Sequence, residues 1–153
     1  MFDRLTGTLS KDFFRFLLEL EGSRAVRYCR YVSILDLEID QIENDQNLAK
    51  ITRLIRQSLR YTDLMGKMGP QRFSVLLHYA EGRDAYRVAE RIRDRVADSI
   101  FVSNNGPYER TVSIGGACLP THASDLKGLL RAANTMLSKA KSVGGNLVCL
   151  PEV

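Results

Sequence analysis

Apolar residues recur along the first half of the chain with two different spacings, and each spacing predicts an element. After Ser10, a good N-cap, five apolar side chains fall near the helical period, and we expect this helix to end by Gly22-Ser23. Strand-forming residues dominate 31–39, which predicts a buried strand. From Asn44 the helical spacing returns and predicts a second helix that ends near Tyr61-Thr62.

The second half of the chain continues the alternation of helices and strands. Short strands over 64–68 and 73–78 flank a Gly-Pro turn, a pattern typical of a hairpin. The pattern then predicts a helix over 83–98, a short strand over 100–102, a plain turn over 103–107, a strand over 110–119, a helix over 124–142 and a closing strand over 146–150. This order predicts an α/β (α+β) fold in which helices pack on one sheet.

Composition adds the scale and the environment. The 153 residues fit a single domain, 1–153, and 44% hydrophobic with 26% charged residues is typical of a soluble globular protein. No stretch approaches the roughly 20 apolar residues of a membrane span, and no signal peptide follows Met1, so we expect a cytoplasmic domain without membrane insertion. Cys29, Cys118 and Cys149 match no metal motif, and we expect them to be buried thiols.

The charge balance indicates the kind of partner. The net charge is +4 with a pI near 9.1, and the basic residues are spread along the chain. This favours anionic partners, such as a nucleotide or an acidic protein face, and we expect no nucleic acid partner.

Several short motifs follow one another in an order and spacing that is more specific than any one of them. They are the D-x-L-T-G opening at 3–7, the D-x-D strand end at Asp36-Leu37-Glu38 with Glu for the second Asp, the N-D pair at Asn44-Asp45, the hairpin at 69–73, A-E-x-I-R at 89–93, V-S-I-G at 112–115 and A-K-x-x-G-x-N at 140–146. Together they resemble the GGDEF domains of the diguanylate cyclase family over essentially the whole chain. The resemblance implies a palm-like sheet flanked by helices, related to nucleotidyl cyclase and polymerase palm domains.

The signature hairpin departs from the family pattern. In the family, two GTP-loaded domains join two nucleotides into cyclic di-GMP, a phosphoryl transfer that depends on metal-held phosphates. Here the signature reads Gly69-Pro70-Gln71-Arg72-Phe73, so its acidic pair is missing. Arg72 cannot ligate magnesium, and Pro70 has no N–H to offer a phosphate. We predict that Arg72 pairs with Asp36 in place of the metal.

Other positions implied by the resemblance have also changed. Asp40-Gln41 replaces the F-K pair, so the lysine expected to contact a phosphate is absent. The G-H-x-x-G-D segment after Asn44-Asp45 is missing, and Gly145 replaces the closing arginine. Asp36, Asn44 and Lys141 remain as a vestigial nucleotide site. We therefore expect no cyclase activity, no catalytic residues, no bound metal and no cofactor.

One family site is retained. Arg60-Tyr61-Thr62-Asp63 is an R-x-x-D six residues before Gly69, where the family carries its inhibitory cyclic di-GMP site. A guanidinium can donate to guanine O6 and N7, and a carboxylate can accept from the guanine N–H groups. Arg91 stands where relatives often add a second arginine. The resemblance implies a receptor for cyclic di-GMP, bound as a stacked pair between two protein surfaces and promoting a homodimer; the alternative is an ordinary surface ion pair.

Three other functions stay open. The remodelled hairpin face can dock a protein partner without any nucleotide, and exposure of Leu64, Met65 and Met68 would support that alternative. The second is a cyclase with an unusual loop, and the third is a domain that binds GTP as a regulator without turnover. His78 and His122 have no partner at catalytic spacing, and we expect surface or capping roles for them.

Overall fold

Helices and strands alternate along the residues that the computed structural model describes, which are 1–3, 6–41 and 47–152. The helices are α1 (Lys11–Arg27), α2 (Leu48–Arg56), α3 (Gly82–Ala97) and α4 (Leu126–Ser142). The strands are β1 (Val32–Ile39), β2 (Leu64–Lys67), β3 (Arg72–His78), β4 (Phe101–Ser103), β5 (Gly106–Tyr108), β6 (Val112–Leu119) and β7 (Val148–Cys149). Within these residues, no helix is both long and apolar enough to cross a bilayer.

Five strands form the central sheet in the order β2-β3-β1-β6-β7. Strand β1 lies in the middle and pairs antiparallel with both β3 and β6, whereas the short β7 runs parallel to β6. Strands β4 and β5 form a separate hairpin. A central sheet flanked by helices confirms the α/β (α+β) fold class.

Side chains alternate between the two faces of the sheet, and each face carries its own core. On one face, Leu35 and Leu37 of β1 belong to a buried cluster with residues of α2 and α3. On the other, Val32 and Ile34 belong to a cluster with residues of α1 and α4. Asp36 continues the second series, so the geometry of β1 directs this carboxyl group toward α1 and α4.

Helix α4 lies unusually close to β6. A Cβ atom built on Gly115 would stand 2.0 Å from the backbone nitrogen of Leu137 and 2.5 Å from the carbonyl oxygen of Ala133. Only glycine permits this approach, because the nearest atoms are helix backbone that cannot rotate aside. The contact fixes the position of α4. This helix carries Asn134 next to Arg72 of the signature hairpin and Lys141 next to Glu38 at the end of β1.

Helix α1 ends at Arg27, so the prediction that it ends by Gly22-Ser23 is wrong. A Cβ on Gly22 would lie 3.0 Å from Leu126 of α4, which shows that this glycine is a packing contact rather than a stop signal. The chain leaves the helix at Cys29, whose φ is 53°, and the N–H of Arg30 donates to the carbonyl of Ala25 at 2.9 Å.

Three further predictions about local structure are wrong. Helix α2 ends at Arg56, before Tyr61-Thr62. The N–H groups of Ser58 and Leu59 donate to carbonyls three residues back, and the N–H of Arg60 donates to Asp63, so the chain turns instead of continuing the helix. Residues 103–107 are not a plain turn, since Gly106 and Pro107 belong to β5. Cys29 is exposed rather than buried, because it occupies the turn after α1. The predicted start of the second helix at Asn44 lies outside the described residues.

Candidate functional site

The signature hairpin joins β2 to β3 and is tied to the end of β1. The N–H of Met68 donates to the carbonyl of Arg72 at 2.8 Å and closes the turn. The Gln71 amide donates to the carbonyl of Gln41 at 2.6 Å, and the Gln71 carbonyl accepts from the N–H of Ile39 at 3.0 Å. Gln71 therefore holds the hairpin against the end of β1. Pro70 is exposed at its tip.

The predicted pair between Arg72 and Asp36 is confirmed. The Arg72 Nη2 atom lies 3.8 Å from Oδ2 of Asp36, whose other oxygen accepts from the Ser74 hydroxyl at 2.6 Å. Burial raises the pKa of Asp36 above its ordinary value, and the Ser74 hydrogen bond and the Arg72 charge offset part of that rise. Arg72 also donates to the side-chain oxygen of Asn134 on α4. Phe73 points the opposite way, into the core shared with α2 and α3.

The second carboxylate of β1, that of Glu38, also has a cationic partner. Glu38 forms an ion pair with Lys141 from the last turn of α4. Asp36 and Glu38 face the same side of the sheet, as their spacing of two predicts, but each already has a basic partner. Asn44, the third vestigial residue, lies outside the described residues. Over 1–3, 6–41 and 47–152, no group of three His, Cys, Asp or Glu side chains is arranged to hold a metal ion.

Asp40 has a structural role that the sequence analysis missed. Its carboxylate accepts from the Thr111 hydroxyl at 2.6 Å, from the Ser113 hydroxyl and from the N–H of Asn146 at 2.9 Å. Gly145 has a φ of +77°, and a Cβ there would stand 2.9 Å from the Asp40 carboxyl group. Asp40 and Gly145 thus meet in one contact: the aspartate binds the loop that the glycine allows to approach.

The R-x-x-D segment forms a turn that clamps the end of β3. The Asp63 carboxylate accepts from the N–H of Arg60 at 3.0 Å and from the N–H of His78 at 3.3 Å, and its side chain is only 2% exposed. The Arg60 guanidinium lies 3.5 Å from the same carboxylate and donates to the carbonyl of His78. The guanidinium remains accessible, since the Arg60 side chain is 57% exposed. Asp63 therefore positions Arg60 and has little surface left for a ligand.

Arg60 lines a cavity of about 680 Å³ beside α2. Arg53 and Arg56 line it too, as does Tyr61, whose side chain is fully exposed. Throughout the described part of the chain, neither Arg53 nor Arg56 has a carboxylate within ion-pair distance. Sequence reasoning missed Arg53, although its spacing of three from Arg56 places both arginines on one side of α2. Arg60 joins them from the turn that follows the helix.

Arg91 does not join this cavity. It lies on α3 and lines a separate, open depression of about 800 Å³, together with Tyr86 and Arg87. Gln57 borders both spaces. The structure thus brings Arg60 and Asp63 together and leaves Arg91 on the neighbouring surface.

Docking of a protein partner on the hairpin face would need exposed apolar side chains, and the three residues predicted for it are not exposed. Met65 is buried, and Leu64 and Met68 pack against the core under α1 and α4, because β2 lies over Phe14.

The two histidines have structural partners. His78 lies 3.3 Å from Glu21, and Nδ1 of His122 accepts from the N–H of Cys118 at 3.0 Å while burial lowers its pKa.

The sheet order and the helices on both faces of the sheet define a mixed α/β domain, with the signature hairpin beside the central strand. Residues 1–147 match the family described as "Diguanylate cyclase, GGDEF domain". The chain belongs to the GGDEF domain family.

Relatives and solved structures agree with this assignment. The chain is 28% identical over 163 residues to the probable diguanylate cyclase DgcT of Escherichia coli, covering 99% of this chain and 36% of that protein. It is similar to the GGDEF domain of PA1120 (TpbB or YfiN) from Pseudomonas aeruginosa, with a TM-score of 0.90, 27% identity, and coverage of 99% of this chain and 95% of that one. The GGDEF domain of DgcB from Caulobacter crescentus, solved in complex with c-di-GMP, shares the fold at a TM-score of 0.90 and 18% identity, covering 97% and 94% of the two chains. The chain spans about a third of the length of the curated relatives it matches.

Proposed function

We propose that this GGDEF domain is a non-catalytic receptor for cyclic di-GMP. The observation that carries the proposal is the basic cavity beside α2, which Arg53, Arg56 and Arg60 line. Among the described residues, Arg53 and Arg56 have no carboxylate partner. The Arg60 guanidinium lies 3.5 Å from Asp63, but the Arg60 side chain is still 57% exposed. Cyclic di-GMP carries two phosphate charges and two guanine bases, and guanidinium groups suit both.

The residues at the end of β1 argue against turnover. Magnesium takes hard oxygen ligands, and catalysis of phosphoryl transfer needs it beside the triphosphate. Asp36 already accepts a hydrogen bond from Ser74 and lies 3.8 Å from Arg72, while Glu38 is paired with Lys141. The donor set does not fit a divalent cation, because a fixed guanidinium would lie next to it.

Each side chain of the basic cavity has its own part in the proposed complex. The edge of the Arg60 guanidinium that does not contact His78 can donate to a guanine or a phosphate, and Arg53 and Arg56 add positive charge for the phosphates. The Tyr61 ring is available for stacking against a base. Asp63 acts by holding Arg60 in place. Arg91 lies outside this cavity, so we assign it to a second surface that a stacked dinucleotide pair would have to reach.

Calorimetric titration with cyclic di-GMP tests the receptor. We expect saturable binding to the wild-type domain and a loss of at least about tenfold in affinity for Arg60→Ala, since a charge-assisted contact contributes about 1.5–3 kcal/mol. Arg131→Ala, which removes an exposed arginine from α4, is the matched control and should bind like wild type. Absence of heat with folded wild-type protein would leave the alternative of a protein-docking domain with no nucleotide ligand.

Incubation with GTP and magnesium tests the loss of catalysis. We expect no cyclic di-GMP above the enzyme-free blank when products are separated by chromatography, because the carboxylates that would hold the metal are paired with Arg72 and Lys141. Product that forms with the wild-type domain and disappears in Asp36→Asn would overturn this part of the proposal while leaving the Arg60 titration valid.

A further inference from the structure

Two arginines and two tyrosines alternate in a stack on the surface at the end of α1. The Arg27 guanidinium carbon lies 5.5 Å from the centre of the Tyr28 ring, Arg30 lies 5.2 Å from the same ring, and Arg30 also lies 5.4 Å from the ring of Tyr79. We call these four residues the Arg–Tyr cluster. All four are exposed, with Tyr28 at 55% and Tyr79 at 63%. Distances of this size are those of cation–π contacts.

The chain holds the cluster in place by two unusual backbone conformations. Cys29, between the first tyrosine and Arg30, and Tyr79, at the end of β3, each have a φ of 53°. Left-handed backbone is uncommon in residues other than glycine and disfavours large side chains such as tyrosine. The stack therefore depends on two separate turns that converge, rather than on one flexible loop.

The charges of the cluster are not neutralised within the described residues. Neither Arg27 nor Arg30 has an ion-pair partner there, and Glu21, an acidic residue of the same helix, is already paired with Arg24 and His78. A guanidinium placed over a ring still has N–H groups that can donate to a partner. The cluster thus presents two oriented cations with no internal carboxylate to satisfy them.

An apolar stripe on α1 leads directly to the cluster. Phe13, Phe16, Leu20 and Arg27 are separated by three, four and seven residues, so they lie on one side of the helix. Phe16 is 61% exposed and Leu20 is 40% exposed, and the rings of Phe13 and Phe16 stack with centres 6.3 Å apart. This side of α1 points away from the buried residues Phe14 and Leu18.

We propose that the Arg–Tyr cluster and the apolar stripe together form a docking surface for an acidic, amphipathic segment of a protein partner. Tyrosine and arginine are the residue types that most often dominate binding energy in protein interfaces. Carboxylates of the segment would pair with Arg27 and Arg30, and its apolar side chains would cover Phe16 and Leu20. The surface is separate from the cavity of Arg60, and the inference does not rest on the receptor function.

Charge complementarity and the apolar stripe together favour a protein over a nucleic acid. Single-stranded nucleic acids bind to basic grooves with stacking rings, and the cluster alone would suit them. A nucleic acid would leave the exposed phenylalanine and leucine side chains of α1 against its charged backbone. An amphipathic peptide covers both parts of the surface.

Fluorescence anisotropy with defined probes tests the surface. The first probe is a labelled synthetic helix of about 20 residues, with Leu and Phe on one side and Glu on the other, matched to the length of α1. The second is a labelled oligothymidine of about 12 nucleotides. We expect the acidic peptide to bind the wild-type domain, and the double variant Arg27→Glu/Arg30→Glu to bind it at least about tenfold more weakly.

Matched variants make the result specific. Phe16→Asp changes the apolar stripe but not the cluster, and it should weaken binding of the peptide comparably. Arg131→Glu on α4 changes the charge by the same amount per site and should bind the peptide like wild type. Equal binding by wild type and double variant, or no binding at about 1 mM peptide, would overturn the proposal. Tighter binding of the oligonucleotide, lost in the double variant, would overturn it in favour of a nucleic acid surface. Cyclic di-GMP titration of the same variants separates this outcome from the failure of the receptor function.

Discussion

Replacement of Gly115 by alanine should lower the free energy of unfolding by about 3 kcal/mol or more. The added Cβ would meet the backbone nitrogen of Leu137 at 2.0 Å and the carbonyl oxygen of Ala133 at 2.5 Å. Backbone atoms inside a helix have no alternative rotamer, so α4 as a whole must move away from β6. Urea denaturation followed by circular dichroism measures the loss.

A second glycine provides the control for that substitution. A Cβ on Gly69, in the signature hairpin, would meet only the Cβ of Arg72 at 3.7 Å, an ordinary contact. We expect Gly69→Ala to stay within about 1 kcal/mol of wild type. Equal losses for the two variants would mean that the close approach of α4 to β6 is not what makes Gly115 necessary.

Asp63→Ala should destabilise the domain by about 2 kcal/mol. The carboxylate accepts from the N–H groups of Arg60 and His78 and is 2% exposed, so its removal leaves two donors without their acceptor at the end of β3. Thermal or urea unfolding of the variant measures this loss. Asp63→Asn keeps one acceptor oxygen and should recover part of the stability.

Arg60→Ala distinguishes positioning from ligand binding in the same turn. The Arg60 side chain is 57% exposed, and the loss of its ion pair should cost only about 0–1 kcal/mol of stability. Asp63 would then be the structural residue and Arg60 the binding residue of the R-x-x-D. A large stability loss for Arg60→Ala together with a small one for Asp63→Ala would reverse these roles.

The sequence predicts best where one period or one register determines the outcome. The strand over 31–39 matches β1 closely because strand-forming residues dominate it. The long helix over 124–142 matches α4 because its apolar residues repeat with the helical period. The pairing of Arg72 with Asp36 was also predictable. The two residues stand on neighbouring strands, and opposite charges on neighbouring strands attract.

The sequence predicts least where residues far apart in the chain converge. Gly22 resembled a helix stop because nothing local reveals Leu126 lying against it. Asp40 and Gly145 resembled two independent losses, although they form a single contact. The alternation of arginine and tyrosine at 27–31 is visible in the sequence, but Tyr79, which completes the stack, is brought in only by the end of β3.

The two cations at the end of β1 have a kinetic consequence. Arg72 and Lys141 balance Asp36 and Glu38, so these four formal charges sum to zero. A polyanion diffusing toward the domain therefore meets no long-range attraction from these four groups. The arginines beside α2 attract it from about 8–10 Å at physiological salt. Association of an anionic ligand with the cavity should accordingly become slower as salt rises. Arg53, Arg56 and Arg60, and not the signature hairpin, should determine this salt dependence.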